Sequence, residues 1–387
     1  MSLRIARRAR IAPFIVMDVL RAANERAASG VDVLHLEIGQ PSTAAPSRVR
    51  EAARRALETD TLGYTDALGL PSLRQAIADH YQRRYGVAVD PGRVVVTTGS
   101  SAGFILAFLA AFEPGDRVAL ASPGYPAYRN ILTALGLEPV ELAVGPAERF
   151  QPTSELLHQC GAIDGLIVAS PANPTGTMLT PADLAALASA CEGAGIRLVS
   201  DEIYHGISYG MTASTALAGS GSAIVVNSFS KFYSMTGWRI GWMVVPEEML
   251  RPIECLAQNL FVAPPSLAQH AALAAFSCGE ELAANVARYA ENRALLLREL
   301  PKAGFEQFAP SDGAFYLYAD VRHLTNDSRD FCHRMLREIG VAATPGVDFD
   351  PARGEGHVRF CYAGERATVA EAARRLTTWR GPGRSTT

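Results

Sequence analysis

Short apolar runs rich in Val, Ile and Leu alternate with Ala- and Leu-rich stretches through the middle of the chain. The runs predict strands at 94–97, 117–121, 166–169, 196–200, 223–227 and 240–245. The stretches between them predict helices at 102–112, 126–135 and 181–192. Thr180 and Pro181 stand where a helix cap and a first helical residue are favoured. Because strands that alternate with helices form parallel sheets covered on both faces, the pattern predicts an α/β fold around a mostly parallel sheet.

The pattern changes towards the C-terminus, where we expect a smaller α+β domain. A long helical stretch at 266–300 is broken near Cys278 and Gly279. Beyond it, the pattern predicts two strands and a helix, at 315–318, 357–361 and 328–339. We therefore predict an arm with part of the small domain at 1–45, a large domain at 46–285 and a small C-terminal domain at 286–387.

The composition of the 387 residues favours ordered domains. Hydrophobic residues make up 48% of the chain, which provides enough apolar surface to offset the entropy lost on folding. The formal net charge is −3 and neither sign forms long blocks, which disfavours nucleic acid and anionic membranes as partners. The sequence has no uninterrupted apolar run of about 18 residues, which a membrane-spanning helix would need.

The cysteines and histidines do not suggest a metal site. Six cysteines are scattered without a CxxC pair, which is typical of free thiols in a reducing cytoplasm. The eight histidines lack the HxxxH spacing of metal ligands. The arginine-rich start, from Arg4 to Arg10, is similar to an organelle transit peptide, but Asp18 and Glu25 follow and favour an ordered arm. We therefore expect a cytoplasmic protein without a bound metal.

Lysine is scarce in this chain. Of the 36 basic residues only Lys231 and Lys302 are lysines. Where lysine persists against such a bias, its amine chemistry is a candidate reason, because arginine stays protonated and does not act as a nucleophile. Lys302 follows a helix in a turn sequence, where an exposed side chain is the simplest interpretation. Lys231 directly follows a predicted strand and is the stronger candidate.

Small and polar residues follow four of the predicted strands. In an open parallel sheet, ligands bind beyond the carboxyl ends of the strands. The candidates there are Gly99, Ser100 and Ser101; Asn173 in Asn-Pro-Thr-Gly; Asp201 and Tyr204; and Ser228, Ser230, Lys231 and Arg239. Each group alone also fits a purely structural role, as a tight turn, a helix cap or a packed tyrosine. Together they supply a phosphate cradle, an amine for an aldehyde, a partner for a pyridinium and donors for a phenolate, an inventory that fits pyridoxal 5′-phosphate.

The order and spacing of these motifs resemble the class I aminotransferases of fold type I, the aspartate aminotransferase superfamily. The resemblance rests on Ser-x-Ser-Lys followed by Gly-x-Arg-x-Gly, with Asn-Pro-Thr-Gly and Asp-x-x-Tyr upstream, and it extends from Gly39 to Arg359. It implies a pyridoxal phosphate enzyme in which Lys231 binds the cofactor aldehyde as an imine. It also implies two half-reactions with ping-pong kinetics, with an amino acid and a 2-oxo acid as substrates.

The resemblance implies a role for each matching residue. Asp201 would pair with the pyridinium nitrogen, and Asn173 and Tyr204 would hold the ring's 3-oxygen. Tyr125 would stack on the ring. The phosphate would be held by Gly99, Ser100, Ser101, Ser228, Ser230 and Arg239. Arg359 would bind the substrate α-carboxylate together with Gly39 and Asn173, and Tyr64 would reach the phosphate of a neighbouring subunit, which implies a homodimer.

The N-terminal arm bears on the choice of amino donor. The arm reads Ala12-Pro13-Phe14-Ile15-Val16, and an apolar arm over the pocket would leave a second substrate carboxylate unpaired. This favours a neutral or apolar donor, although Phe14 and Ile15 could equally just pack the arm onto the core. A carbon–sulfur β-lyase of the same fold is the main alternative, because its cofactor residues are the same. A cofactor-sensing transcription regulator is disfavoured, since no helix-turn-helix precedes Gly39.

Overall fold

The computed structural model describes residues 3–379, so the outermost parts of the predicted terminal segments lie outside it. The strands are β1 (Leu34–His35), β2 (Val94–Thr97), β3 (Arg117–Ser122), β4 (Glu138–Ala143), β5 (Gly165–Ala169), β6 (Arg197–Asp201), β7 (Ile224–Ser228), β8 (Gly241–Val244), β9 (Gln307–Phe308), β10 (Tyr316–Asp320), β11 (Val341–Ala342), β12 (Thr344–Pro345) and β13 (His357–Cys361). The helices are α1 (Ile15–Ala28), α2 (Ser47–Thr59), α3 (Pro71–Tyr85), α4 (Gly99–Ala111), α5 (Pro126–Leu135), α6 (Ser154–Gln159), α7 (Pro181–Ala194), α8 (Leu250–Leu260), α9 (Ser266–Ala275), α10 (Gly279–Glu299), α11 (Ser328–Ile339) and α12 (Arg366–Thr378).

A seven-stranded sheet forms the centre of the large domain, in the order β2-β8-β7-β6-β5-β3-β4. Its neighbours pair in parallel except β8, which runs antiparallel to both β2 and β7. Two apolar clusters cover the two faces, one around Trp242 and the other around Phe108. The predicted α/β fold with a mostly parallel sheet is therefore confirmed.

The small domain is built on a four-stranded antiparallel sheet, β12-β13-β10-β9. Strand β1, near the N-terminus, pairs with β11, so the start of the chain joins this domain. In β10 and β13 the residues Tyr316, Tyr318 and Asp320 lie opposite Cys361, Arg359 and His357. Since directly opposite residues project to one side and alternate residues share a face, these six side chains line one face of the sheet. We call it the small-sheet face.

Most predicted elements are present, with differences at their ends. Helix α4 begins at Gly99, three residues earlier than predicted, so the small residues form its first turn instead of a loop. The break in the long helical region falls between Ala275 and Gly279, as predicted. Strand β4 was missed because it is a partly exposed edge strand that contains Pro139 and no β-branched run. In the described part of the chain, no helix combines the length and hydropathy needed to cross a bilayer.

Candidate active site

Lys231 follows β7 and is half-buried, with its amine against the segment that contains Gly39. Its Nζ donates to the carbonyl of Gly39 at 2.6 Å and lies 6.0 Å from the ring centroid of Tyr204. Burial lowers the pKa of Lys231 to about 8, and the guanidinium groups of Arg359 and Arg239 also lower it. A substantial share of this amine is therefore neutral near physiological pH, as a nucleophile or a general base must be.

Asp201, at the end of β6, is a buried carboxylate held by two donors. The hydroxyl of Tyr128 donates to Oδ2, and the backbone N–H of Ile203 donates to Oδ1 at 3.0 Å. Burial raises the pKa of Asp201 to about 6, while both hydrogen bonds oppose that rise. Tyr128 was not predicted; its only signal is its position on α5, three residues after Tyr125. The arrangement gives a fixed negative charge at neutral pH, which suits a cationic partner.

The start of α4 and Arg239 form an anion-binding corner. Gly99 has a φ of +71°, and a Cβ there would lie 2.4 Å from Nη2 of Arg239. Only glycine therefore lets the guanidinium approach this backbone. The hydroxyls of Ser228 and Ser230 are hydrogen-bonded to each other at 2.9 Å. Unpaired N–H groups of a helix start beside a guanidinium and hydroxyls suit a phosphate group.

Arg359, on β13, is buried among uncharged hydrogen-bond acceptors. Its Nη1 donates to Oδ1 of Asn173 at 2.8 Å, and its Nη2 donates to the carbonyl of Glu37 and to the hydroxyl of Thr344. Its Nε is buried without a hydrogen-bond partner among residues 3–379. These contacts fix the guanidinium but do not neutralise it, which leaves it suited to bind a carboxylate. Within the described residues the amide nitrogen of Asn173 donates to no group, so it is available to donate to a ligand.

Two aromatic rings that the sequence did not indicate flank this guanidinium. The ring centroids of Tyr316 and Phe349 lie 4.4 and 4.7 Å from its central carbon. The hydroxyl of Tyr316 is 2.7 Å from that of Tyr204, and a Cβ on Gly39 would overlap it, at 1.9 Å. Tyr316 therefore joins Arg359 to the segment that contacts Lys231.

The N-terminal arm reaches the same site through Phe14. The Phe14 ring contacts Tyr125 edge-on, with centroids 5.6 Å apart and planes at 75°. Burial raises the pKa of Tyr125 to about 12; the Asp201 carboxylate adds to the rise, and Arg239 and Arg359 reduce it. The backbone N–H groups of Ile15 and Val16 donate to the Asp348 carboxylate at 3.0 and 3.1 Å. The arm is thus fixed with Phe14 beside the site.

The structure brings most of the predicted residues together and leaves Tyr64 apart. The side chain of Tyr64 is 88% exposed, and none of its hydrogen bonds or ring contacts within the described residues joins it to the site. Ser101 is also exposed, whereas Ser100 is half-buried. The residues that converge around Lys231 are Gly39, Gly99, Tyr125, Asn173, Asp201, Tyr204, Ser228, Ser230, Arg239 and Arg359.

Comparison with known proteins places this chain in a family. The model of the family "Aminotransferase class I and II" matches residues 31–376. The valine–pyruvate aminotransferase of Mycobacterium tuberculosis is 53% identical over 384 residues, covering 98% of this chain and 99% of that protein. A crystal structure of an aminotransferase from Mycobacterium tuberculosis has a TM-score of 0.96 at 53% identity, covering 98% of this chain and 99% of that chain.

A more distant relative preserves the same fold. The aspartate aminotransferase of Thermus thermophilus, determined with maleate, has a TM-score of 0.91 at 32% identity, covering 97% of this chain and 99% of that chain. The chain therefore belongs to the class I and II aminotransferases, pyridoxal phosphate enzymes of the aspartate aminotransferase fold, and transfers an amino group from an amino acid to a 2-oxo acid.

Proposed function

We propose that the groups around Lys231 and Arg359 divide the reaction between them. The anion-binding corner of Gly99, Ser100, Ser101, Ser228, Ser230 and Arg239 holds the cofactor phosphate, and Tyr125 packs on the ring. Asp201 holds the ring nitrogen, and Asn173 and Tyr204 face the 3-oxygen. The donor set supports this fit: a helix start and a guanidinium for a phosphate, and a buried carboxylate for a ring cation. When bound, pyridoxal phosphate supplies the aldehyde that takes up the amino group and the ring that withdraws electrons.

Lys231 is the proposed nucleophile and proton carrier. Its pKa of about 8 leaves part of the amine neutral, so that it could bind the cofactor aldehyde and, when not bound to it, could accept and move the proton of the substrate α-carbon. Arg359 binds the α-carboxylate together with Asn173 and the backbone near Gly39, and so orients the α-carbon towards Lys231. Since one site serves both half-reactions, we expect ping-pong kinetics.

The proposed amino donor is neutral and apolar, valine-like, with pyruvate as a favoured acceptor. The contact of Phe14 with Tyr125 is the observation that carries this choice, because an aromatic ring beside the pocket offers no partner to a second carboxylate. The name of the relative at 53% identity, valine–pyruvate aminotransferase, points in the same direction.

A donor panel tests this choice. Single amino acids are mixed with the purified holoenzyme and the loss of the bound-aldehyde absorbance is followed; valine, alanine and other neutral donors should react faster than aspartate. Phe14→Arg should raise kcat/KM for aspartate and lower it for valine. Met17→Arg, at an exposed position of the same arm, is the matched control. Aspartate far ahead of every neutral donor would contradict the proposal, and pyruvate and ammonia released from cystathionine without an acceptor would favour the β-lyase.

We also propose a homodimer in which Tyr64 enters the neighbouring active site. The support is that a tyrosine beside a glycine is 88% exposed and separate from its own site. The cytoplasm is the proposed location, because the six cysteines form no disulfide in the described residues. The proposed domain limits are an arm with part of the small domain at 1–45, a large domain at 46–285 and a small domain at 286–387.

A further inference from the structure

A second cavity, of about 820 Å³, lies between the large and small domains and shares no lining residue with the site around Lys231. Its large-domain walls are Pro123 and, in the segment after β4, the residues 144–146 and 149–150. Its small-domain walls include 306–310, Tyr318 and 350–357. The volume falls in the range of about 300–1,000 Å³ found for small-molecule sites. We call it the interdomain cavity.

One aromatic layer separates the interdomain cavity from Arg359. On the small-sheet face Tyr318 lies opposite Arg359, and His357 and Asp320 form the next pair towards the cavity. The ring of Phe349 lies 4.7 Å from the Arg359 guanidinium and 6.2 Å from the centroid of Tyr318. A molecule in the cavity therefore presses on the same packed layer that supports the substrate-binding arginine.

Tyr318 leaves a buried donor without a partner at this cavity. Its side chain is 2% exposed, and its hydroxyl has no hydrogen-bond partner among residues 3–379. Burial and the nearby Asp350 carboxylate raise the pKa of Tyr318 well above its usual value, so the hydroxyl stays protonated. The carboxylate of Asp350 does not accept this hydroxyl; it accepts the backbone N–H groups of Ala352 and Arg353 and Nε of Arg353. Buried hydroxyls are normally hydrogen-bonded, so this one points to a missing acceptor.

Arg353 provides a second donor beside that hydroxyl. Its Nε donates to Asp350 at 2.8 Å and its Nη2 donates to the carbonyls of Ser122 and Val144, so it links the two domains. Within the described residues its Nη1 donates to no group, which leaves it for a ligand. The charged residues that line the cavity are balanced: Arg149, Arg322 and Arg353 against Glu306, Asp320 and Asp350. Such a balance suits a single carboxylate better than a multiply charged phosphate.

The remaining walls are apolar and flat. The rings of Tyr318 and His357 stack with centroids 4.9 Å apart and planes at 5°, and Phe150 and Phe308 line the same space. Arg149 and Phe150 both have left-handed backbones, with φ of +51° and +57°, which residues with side chains rarely adopt. This conformation is fixed by a bond from the Phe150 N–H to the Gly145 carbonyl, at 2.7 Å, and by an Arg149–Asp312 ion pair at 2.7 Å.

We propose that the interdomain cavity is a regulatory site for an apolar monocarboxylic acid with a planar side chain. The carboxylate accepts hydrogen bonds from the Tyr318 hydroxyl and from Nη1 of Arg353, and the apolar part packs against Phe150 and Phe308. Because the walls belong to both domains, the bound acid holds them at one spacing and changes substrate binding at Arg359. The inference does not depend on which amino donor the enzyme uses.

Calorimetry with 3-phenylpropionate tests this site. The probe has neither an amino nor a 2-oxo group, so it is not turned over. The holoenzyme is first treated with aminooxyacetate, which reacts with the cofactor aldehyde and places its carboxylate at Arg359. The active site is then occupied and cannot bind the probe. One further class of binding site is expected. Tyr318→Phe should weaken its Kd about tenfold, through loss of one hydrogen bond to a charged group. Gln307→Trp, which places an indole at the exposed rim, should remove binding.

Two controls make the result decisive. Tyr289→Phe removes the hydroxyl of another buried tyrosine in the small domain that does not line the cavity, and it should leave Kd unchanged. Without aminooxyacetate, 3-phenylpropionate should inhibit the wild-type enzyme, and part of this inhibition should persist at high concentrations of amino donor. The Gln307→Trp variant should lose only this persistent part of the inhibition. Absence of binding to the aminooxyacetate-treated holoenzyme, equal Kd values in the wild type and both cavity variants, or purely competitive inhibition would overturn the proposal. If Tyr318→Phe fails to fold, Gln307→Trp still decides the outcome, because its side chain is exposed.

Discussion

Around Lys231 the polar groups follow strands of the seven-stranded sheet, whereas around Arg359 they come from distant parts of the chain. Asp201 ends β6, Ser228 ends β7 and Gly99 follows β2 by two residues. By contrast, the groups that contact Arg359 are separated from it by up to 322 residues, as with the carbonyl of Glu37. The Lys231 half of the site, which we call the large-domain half, is therefore fixed by one rigid sheet edge. The Arg359 half is fixed by the way that the arm and the two domains pack. This difference predicts that variants of the two halves will fail differently.

The largest effect is expected at Lys231, where both halves meet. Lys231→Ala should abolish the bound-aldehyde absorbance and lower kcat by at least about 10³-fold, because it removes both the nucleophile and the proton carrier. Absorbance spectra and single-turnover kinetics measure the two losses. Lys302→Ala, at the other lysine, should change neither. If Lys231→Ala keeps the absorbance or the turnover of the wild type, this amine is not part of the mechanism.

Arg359→Leu should affect the Arg359 half of the site more than the large-domain half. We expect kcat/KM for amino donors to fall by about 10²-fold, because two charge-assisted hydrogen bonds to the α-carboxylate are lost. Cofactor affinity should fall by less than that, because Arg359 contacts no group of the anion-binding corner and reaches the proposed partners of the ring's 3-oxygen only through Asn173. Steady-state kinetics and cofactor titration test both parts. A loss of cofactor with little change in kcat/KM would show that the two halves do not work separately.

The pH dependence of cofactor attachment should report the Lys231 amine. Its pKa is lowered to about 8, so the neutral, nucleophilic fraction rises as pH rises through that value. The rate of pyridoxal phosphate attachment to cofactor-free protein should increase about tenfold between pH 7 and pH 9 and then level off. Stopped-flow absorbance measures the rate. If the midpoint of the rate profile lies near pH 10, the usual pKa of lysine, burial does not lower the pKa of this amine.

Tyr128→Phe should have the smallest effect of the four predictions. Its effect should be confined to the large-domain half of the site. Because the Tyr128 hydroxyl lowers the pKa of Asp201, which burial holds near 6, its removal should raise that pKa further. Asp201 then takes up its proton at higher pH and no longer balances a ring cation. Cofactor affinity should drop about fivefold at pH 6.5 and recover at pH 8. Cofactor titrations at the two pH values test this, with Tyr81→Phe as a buried control outside the site. An equal loss at both pH values would contradict it.

Local patterns gave all the predictions that we make for the large-domain half of the candidate site. Lys231 stood out because lysine is scarce and because serines and a glycine-flanked arginine surround it at fixed spacing. Asp201, Asn173 and Gly99 were predicted because each follows an apolar run. Tyr128 was missed although it contacts Asp201, because a tyrosine on a helix is equally well explained by packing. The edge strand β4 was missed for a related reason, since its partly exposed residues carry no strong apolar pattern.

The sequence by itself determined the α/β fold and the order of the polar groups that follow the strands, and it singled out Lys231 as the candidate amine, because these depend on patterns within a few residues. Only the tertiary structure decided that Tyr316 and Phe349 flank Arg359, that Phe14 contacts Tyr125, and that a cavity with the unpartnered Tyr318 hydroxyl lies beyond Phe349. These contacts join residues that are far apart in the chain. They arise from how separate elements pack, and no local propensity encodes that packing.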